Sequence, residues 1–149
     1  MKNQVPTLKP RLLLIEDDAE RIALFRQWVV KTPFVLVEAT SGGQAMGVVS
    51  RGGQGVAGIM LDHDLNTSPK TLQDQITSGS NVVTAIIKHM PKAVPILVHS
   101  MNASQGERMF RRLQGSGFSA TRIRMAVLDE RRFQHWLEDV SDCWEDRND

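Results

Sequence analysis

The sequence holds one cysteine, Cys143, in 149 residues. A lone thiol excludes an internal disulfide and fits a reducing compartment, and Cys143 reads as a helix residue, not as a nucleophile. Long apolar runs are missing too. No stretch approaches the ~20 residues that cross a bilayer as a helix, and residues 1–10 lack the hydrophobic core of a secretory signal. A cytoplasmic protein without a membrane partner is the expectation. There is no internal repeat and no low-complexity linker. Net charge is nearly absent, at +1, which argues against binding along an extended nucleic acid, because such binding needs many cations against phosphates.

The charges that are present are unevenly spread. Seven of the twelve arginines fall between Arg108 and Arg132, and six acids fall between Glu138 and Asp149. A solvated helix face is the default for both groups. Arg108, Arg111 and Arg112 would otherwise suit a small phosphorylated ligand or an RNA terminus. A hydrophobic fraction of 41% with 23% charged residues is that of an ordinary globular protein. The length suits one domain, residues 1–149, with a core from about residue 10 to 145 that needs no disulfide or metal staple.

Five short apolar runs alternate with five amphipathic stretches, the pattern of repeated strand-helix units. The runs are Leu12 to Ile15, Phe34 to Val37, Ala57 to Leu61, Ile96 to Val98, and Ala120 to Val127. The first four are apolar without alternation, as parallel strands covered on both faces are. The fifth contains two arginines and reads as an edge. Asp18 can cap a helix carrying Ile22, Phe25, Trp28 and Val29, and Ser41 with Gln44 forms a capping box before Ala45, Val48 and Val49. Ser80 precedes Val82, Val83, Ile86, Ile87 and Met90, with Pro91 as the stop. Asn102 or Ser104 caps the next helix, around Met109, Phe110 and Leu113. Asp129 caps the last, whose stripe of Phe133, Trp136, Leu137, Val140 and Trp144 keeps the three-and-four spacing of a core face. The expected fold class is α/β: a five-stranded parallel sheet with helices on both faces. One connection stands out, the eighteen residues from Asp62 to Gly79, where a strand-to-helix loop usually takes about 2 to 6.

In such sheets ligands bind beyond the carboxyl ends of the strands. There the first strand ends in Glu16-Asp17-Asp18, the third in Asp62-His63-Asp64, and the fourth in His99-Ser100-Met101-Asn102. Carboxylates that converge without basic partners repel one another, and a hard divalent cation resolves the repulsion. Mg²⁺ or Mn²⁺ takes oxygen ligands, and Asp17, Asp18 and Asp62 are the candidates. Asp18 has a competing role as a helix cap.

The motifs LLIEDD, IMLD and PILVHS, set in five strand-helix units, resemble the flavodoxin-like receiver domains of two-component response regulators over residues 10–145. In that family an acidic pair and a phosphoacceptor aspartate hold Mg²⁺, a Thr or Ser ends the fourth strand, and a lysine ends the fifth. The resemblance matches Asp17 and Asp18 to the acidic pair, Asp62 to the acceptor and Ser100 to the hydroxyl. The terminal Lys-Pro is missing here. His63 and His99 stand where ordinary receivers carry other residues, and LDHDL with HSMN, together with the long loop, resembles more closely the cyclic-phosphate processing receiver domains.

That resemblance implies a metal-dependent phosphoesterase acting on a cyclic phosphate. His63 and His99 would divide the roles of base and acid, for which an imidazole pKa of ~6.5 is suited. Asp64 would orient a histidine or move a proton, and Ser100 and Asn102 would donate hydrogen bonds. Neighbouring residues on a strand point to opposite faces, so each histidine could instead turn into a helix layer; both could also share one face and meet across strands. Two further readings stand beside the first. One is a stand-alone receiver that is phosphorylated on Asp62 or signals through a protein partner. The other is an aspartate-based phosphatase of haloacid dehalogenase spacing, with Asp62 as nucleophile and Asp64 as acid. This last fits poorly, because the acidic pair precedes the Asp-x-Asp and no lysine follows the fourth strand.

Overall fold

Each apolar run becomes a strand of one parallel sheet. The computed structural model describes residues 9–65 and 79–147, and within them the strands are β1 (Arg11–Ile15), β2 (Val35–Ala39), β3 (Val56–Leu61), β4 (Ile96–Val98) and β5 (Ala120–Arg122). Their order across the sheet is β2, β1, β3, β4, β5, and every neighbouring pair is parallel. Parallel neighbours need crossovers, which are the helices α1 (Ala19–Val29), α2 (Gly42–Val49), α3 (Gly79–His89) and α4 (Ala103–Gly115), with α5 (Glu130–Arg147) closing the chain. Residues 66–78, most of the long connection noted in the sequence, lie outside the described residues.

Two apolar layers sandwich the sheet. Leu13, Ile15, Ile59, Leu61, Ile96 and Val98 face α2, α3 and α4. Leu12, Leu14, Met60 and Leu97 face α1 and α5, where Phe25, Trp28, Phe133 and Trp136 are buried. Alternation along the central strands therefore assigns odd and even neighbours to different layers. Of the three tryptophans expected in the core, Trp28 and Trp136 are buried and Trp144 is packed against the cluster at its edge.

The helix starts follow the sequence closely. Asp18 Oδ1 accepts the Arg21 N–H at 3.0 Å, Ser41 Oγ accepts that of Gln44 at 3.2 Å, and Asp129 Oδ1 that of Arg132 at 2.8 Å. Of the two candidates for the fourth cap, Asn102 is the one used: its Oδ1 accepts from Gln105 at 3.1 Å.

Two runs differ from expectation, both at the edges of the sheet. The fifth, read as reaching Val127, is strand only to Arg122. With β4 as its one neighbour it has a single ladder to hold it, and the chain turns away where Val127 and Leu128 donate back to the Arg124 carbonyl. The second run forms the opposite edge, and Ala39 is the one fully buried residue of β2.

Candidate functional site

The strand ladder continues one residue past its strands and lines up three polar side chains. Ile15 pairs with Leu61 and Leu61 with Val98. Asp62 N–H donates to the Ile15 carbonyl at 3.0 Å and His99 N–H to that of Leu61 at 3.1 Å. Glu16, Asp62 and His99 thus form the next row on the α1 and α5 side of the sheet, since side chains of paired parallel residues share a face. All three are buried, at 0%, 1% and 0% exposure.

Glu16 anchors the row. Its Oε2 accepts the backbone N–H groups of Asp17 at 3.0 Å and Asp18 at 3.2 Å. Arg21, in the first turn of α1, adds a two-pronged contact: Nε lies 2.6 Å from Oε1 and Nη2 3.1 Å from Oε2. The same Nη2 lies 3.5 Å from Asp62 Oδ2. The two contacts to Glu16 are charge-assisted hydrogen bonds, the strong kind, and they hold the Arg21 proton more tightly than usual, the Glu16 hydrogen bond contributing most. The expectation of carboxylates without a basic partner is therefore corrected: a guanidinium one helical turn from the acids sits among them.

Carboxylate oxygens of Glu16, Asp17 and Asp62 lie within 4.8 Å of one another. The set is displaced by one residue from Asp17, Asp18 and Asp62, because Asp18 spends its side chain on the α1 cap. The donors are all oxygen, the chemistry that Mg²⁺ and Mn²⁺ prefer. Asp62 Oδ2 is buried and has no hydrogen bond among the described residues, a position a cation would satisfy. Burial first, and then the negative charge of Glu16, push the Asp62 carboxyl up to about 8.

The two histidines do not meet as a pair on one face. The register sets Asp62, not His63, beside His99. The His99 ring packs on Phe25 of α1 with centroids 4.9 Å apart, both ring nitrogens lack hydrogen bonds among the described residues, and Nδ1 lies 3.7 Å from Glu16 Oε1. Burial, then the charge of Arg21, hold this imidazole down to about 3, so it is neutral at pH 7. His63 has a different neighbour: its Nδ1 lies 3.0 Å from Asp64 Oδ1. Its backbone N–H donates to Asp62 Oδ1 at 2.9 Å, holding that carboxylate from the other side.

Ser100 is buried, and its Oγ accepts the Asn102 N–H at 3.0 Å. Asn102 Oδ1 is occupied by the α4 cap and by Ser104, at 3.2 Å. At the end of β5, Arg122 donates to the Ala103 carbonyl at 3.0 Å and pairs with Glu107 at 3.4 Å, so its cation is committed to α4.

The model of the family described as "Cyclic-phosphate processing Receiver domain" matches residues 12–115. The chain belongs to this family. No curated protein matches the sequence. Solved structures similar to this cyclic-phosphate processing receiver domain include the signal receiver domain of a putative Luxo repressor protein of Vibrio parahaemolyticus, 20% identical over 94% of this chain and 96% of that one, TM-score 0.71. A CheY-like receiver domain of Methanospirillum hungatei is 14% identical over 92% and 98%, TM-score 0.69. The receiver domain of a sensor histidine kinase of Pseudomonas aeruginosa, described with a magnesium ion coordinated in its active-site cleft, is 18% identical over 87% and 94%, TM-score 0.63. At these identities the likeness fixes the flavodoxin-like receiver fold.

Two site residues of this receiver domain escape a reading of strand ends: Glu16 and Arg21. Glu16 is the first of three consecutive acids, and only the register says which of them follows Ile15 into the buried row. Arg21 lies three residues after the helix cap, so its return to the sheet edge was legible as helical spacing from Asp18.

Proposed function

We propose that this domain is a metal-dependent phosphoesterase that holds Mg²⁺ or Mn²⁺ through Glu16, Asp17 and Asp62 and opens a cyclic phosphate. The observation that carries the proposal is the His63–Asp64 pair at 3.0 Å, which follows in the chain directly on Asp62, one of the three grouped carboxylates. Asp64 holds Nδ1 and leaves Nε2 for the proton step, the arrangement that fixes the tautomer of a working imidazole. The bound cation would polarise the phosphoryl group or the attacking water. Ser100 keeps its hydroxyl proton for a phosphoryl oxygen, because Oγ accepts from Asn102, and the Asn102 amide retains its two donors. In this reading Asp18 starts α1, and His99, enclosed by Phe25 and Glu16, does not touch substrate.

A small cyclic nucleotide suits the site better than a long RNA. Much of the arginine-rich segment is spent internally: Arg111 on Glu107, Arg112 on the Ser80 carbonyl and Thr84, Arg122 on α4, Arg132 on Asp129.

The second reading, a receiver that accepts a phosphoryl group on Asp62 or signals by contact with a protein partner, is favoured by the fold it shares with receiver domains. One experiment separates the two. The protein is incubated with Mg²⁺ and a panel of nucleoside cyclic phosphates and an RNA ending in a cyclic phosphate, beside His63→Ala and Asp62→Asn. Ring opening that both variants lose supports the phosphoesterase. No turnover on any substrate, with acetyl phosphate labelling Asp62, overturns it in favour of the receiver.

A further inference from the structure

Arg21 is the cation of the acidic row, and its geometry has a consequence for any ion that enters. Nη2 lies 3.1 Å from Glu16 Oε2 and 3.5 Å from Asp62 Oδ2, so the guanidinium bridges two carboxylates that are 0% and 1% exposed. Buried carboxylates need a compensating charge close by. A divalent ion drawn to the same oxygens would lie next to a fixed positive charge, and like charges at such range inside a protein repel strongly.

We propose that Arg21 is a resident counter-cation that competes with the divalent ion for Glu16 and Asp62 and leaves the row when the ion binds; the inference rests on the metal-binding reading above. Three features allow the exchange. The Arg21 side chain is 24% exposed, against 0% for Glu16, so it has a path to solvent. The contact to Asp62 is long, and Oδ2 has no hydrogen bond among the described residues, so an ion would bind it more closely than Arg21 does. When Arg21 withdraws, Glu16 Oε1 loses the Nε donor, and His99 Nδ1 stands 3.7 Å away without a hydrogen bond among the described residues. A shift of well under 1 Å would make the Nδ1–H form of the ring the replacement donor. The device sets a threshold: Glu16 stays compensated by Arg21 at low ion concentration, and the row accepts the ion only when it outcompetes that intramolecular cation.

The test is Mn²⁺ binding, read from the electron paramagnetic resonance of the free ion, in the full chain and in Arg21→Gln, Arg21→Lys and Asp17→Asn. Arg21→Gln is expected to bind Mn²⁺ about tenfold more tightly than the unaltered protein, because the ion no longer has to displace the guanidinium from Glu16 and Asp62. Arg21→Lys, whose single ammonium cannot bridge both acids, should fall between them, and it serves if circular dichroism shows Arg21→Gln unfolded. Asp17→Asn should bind least. Equal or weaker binding by the Arg21 variants, with the unaltered protein binding and Asp17→Asn not, overturns the competition and leaves the metal site standing. No Mn²⁺ uptake by any of them overturns the metal site itself.

Discussion

Gly79, the first residue of α3, donates its backbone N–H to the His63 carbonyl at 3.0 Å. The helix start and the strand end touch backbone to backbone, and a Cβ on Gly79 would lie 2.5 Å from His63 Cα and 3.1 Å from the Asp62 carbonyl oxygen. Gly79→Ala must displace the segment that aims Asp62 and His63, because neither contact is with a flexible side chain. We expect a loss of about 1–3 kcal/mol in urea unfolding, together with weakened Mn²⁺ binding. Gly47→Ala is the control: a Cβ there meets nothing within 4 Å on exposed α2 surface, so stability should rise by about 0.5–1 kcal/mol. A Gly79→Ala protein with unchanged binding would separate the helix start from the site.

The strands, their parallel order and the helix caps were legible because hydrophobic runs and cap residues act locally: Asp18, Ser41, Asn102 and Asp129 each cap the helix that follows. The site was legible as a place, the carboxyl edge, and less so as a set of atoms. LLIEDD offers three consecutive acids, and which one enters the buried row depends on Ile15 pairing with Leu61, a long-range fact. The same register separates His63 from His99, since Leu61 pairs with Val98 and carries Asp62 to the histidine. The end of β5 was misread for a related reason: apolarity continues to Val127, while pairing ends at Arg122.

The α4 cap beside Ser100 gives a stability prediction that leaves the acidic row untouched. Asn102 Oδ1 accepts from Gln105 N–H at 3.1 Å, so Asn102→Ala exposes an orphan donor of the first turn. A loss of about 1 kcal/mol is expected in thermal unfolding. Ser104→Ala, which removes only a 3.2 Å contact to the same oxygen, should cost a few tenths. A larger effect from Ser104 than from Asn102 would reverse the assignment of the cap.

His99 should be dispensable for folding. Its two buried ring nitrogens have no hydrogen bonds among the described residues, and an apolar side chain of similar size against Phe25 removes that burden. His99→Leu is expected to be as stable as the unaltered protein, or more stable by about 1 kcal/mol at pH 7. The same variant should lose Mn²⁺ affinity if Glu16 draws on His99 as a donor. Denaturation midpoints that fall by more than about 2 kcal/mol would show that the imidazole is held by contacts of higher value than these.

Two buried groups give the pH profile opposite slopes. Asp62, raised from 3.8 to about 8, keeps its proton in the folded state where the unfolded chain has lost it, so its stabilisation falls as pH rises from about 4 to about 8. His99, lowered from 6.5 to about 3, is neutral when folded and protonated when unfolded, so its contribution falls as pH drops from about 6.5 to about 3. Between about 4 and 6.5 the slopes oppose, and stability measured without added metal should be nearly level. From about 6.5 to 8 Asp62 acts alone and stability should decline, by at most about 1.4 kcal/mol per pH unit. Asp62→Asn should abolish that decline, while His99→Leu should leave it in place and remove the acid-side loss. Urea unfolding at half-unit pH steps checks both arms. A decline above pH 6.5 that persists in Asp62→Asn would assign it to another group.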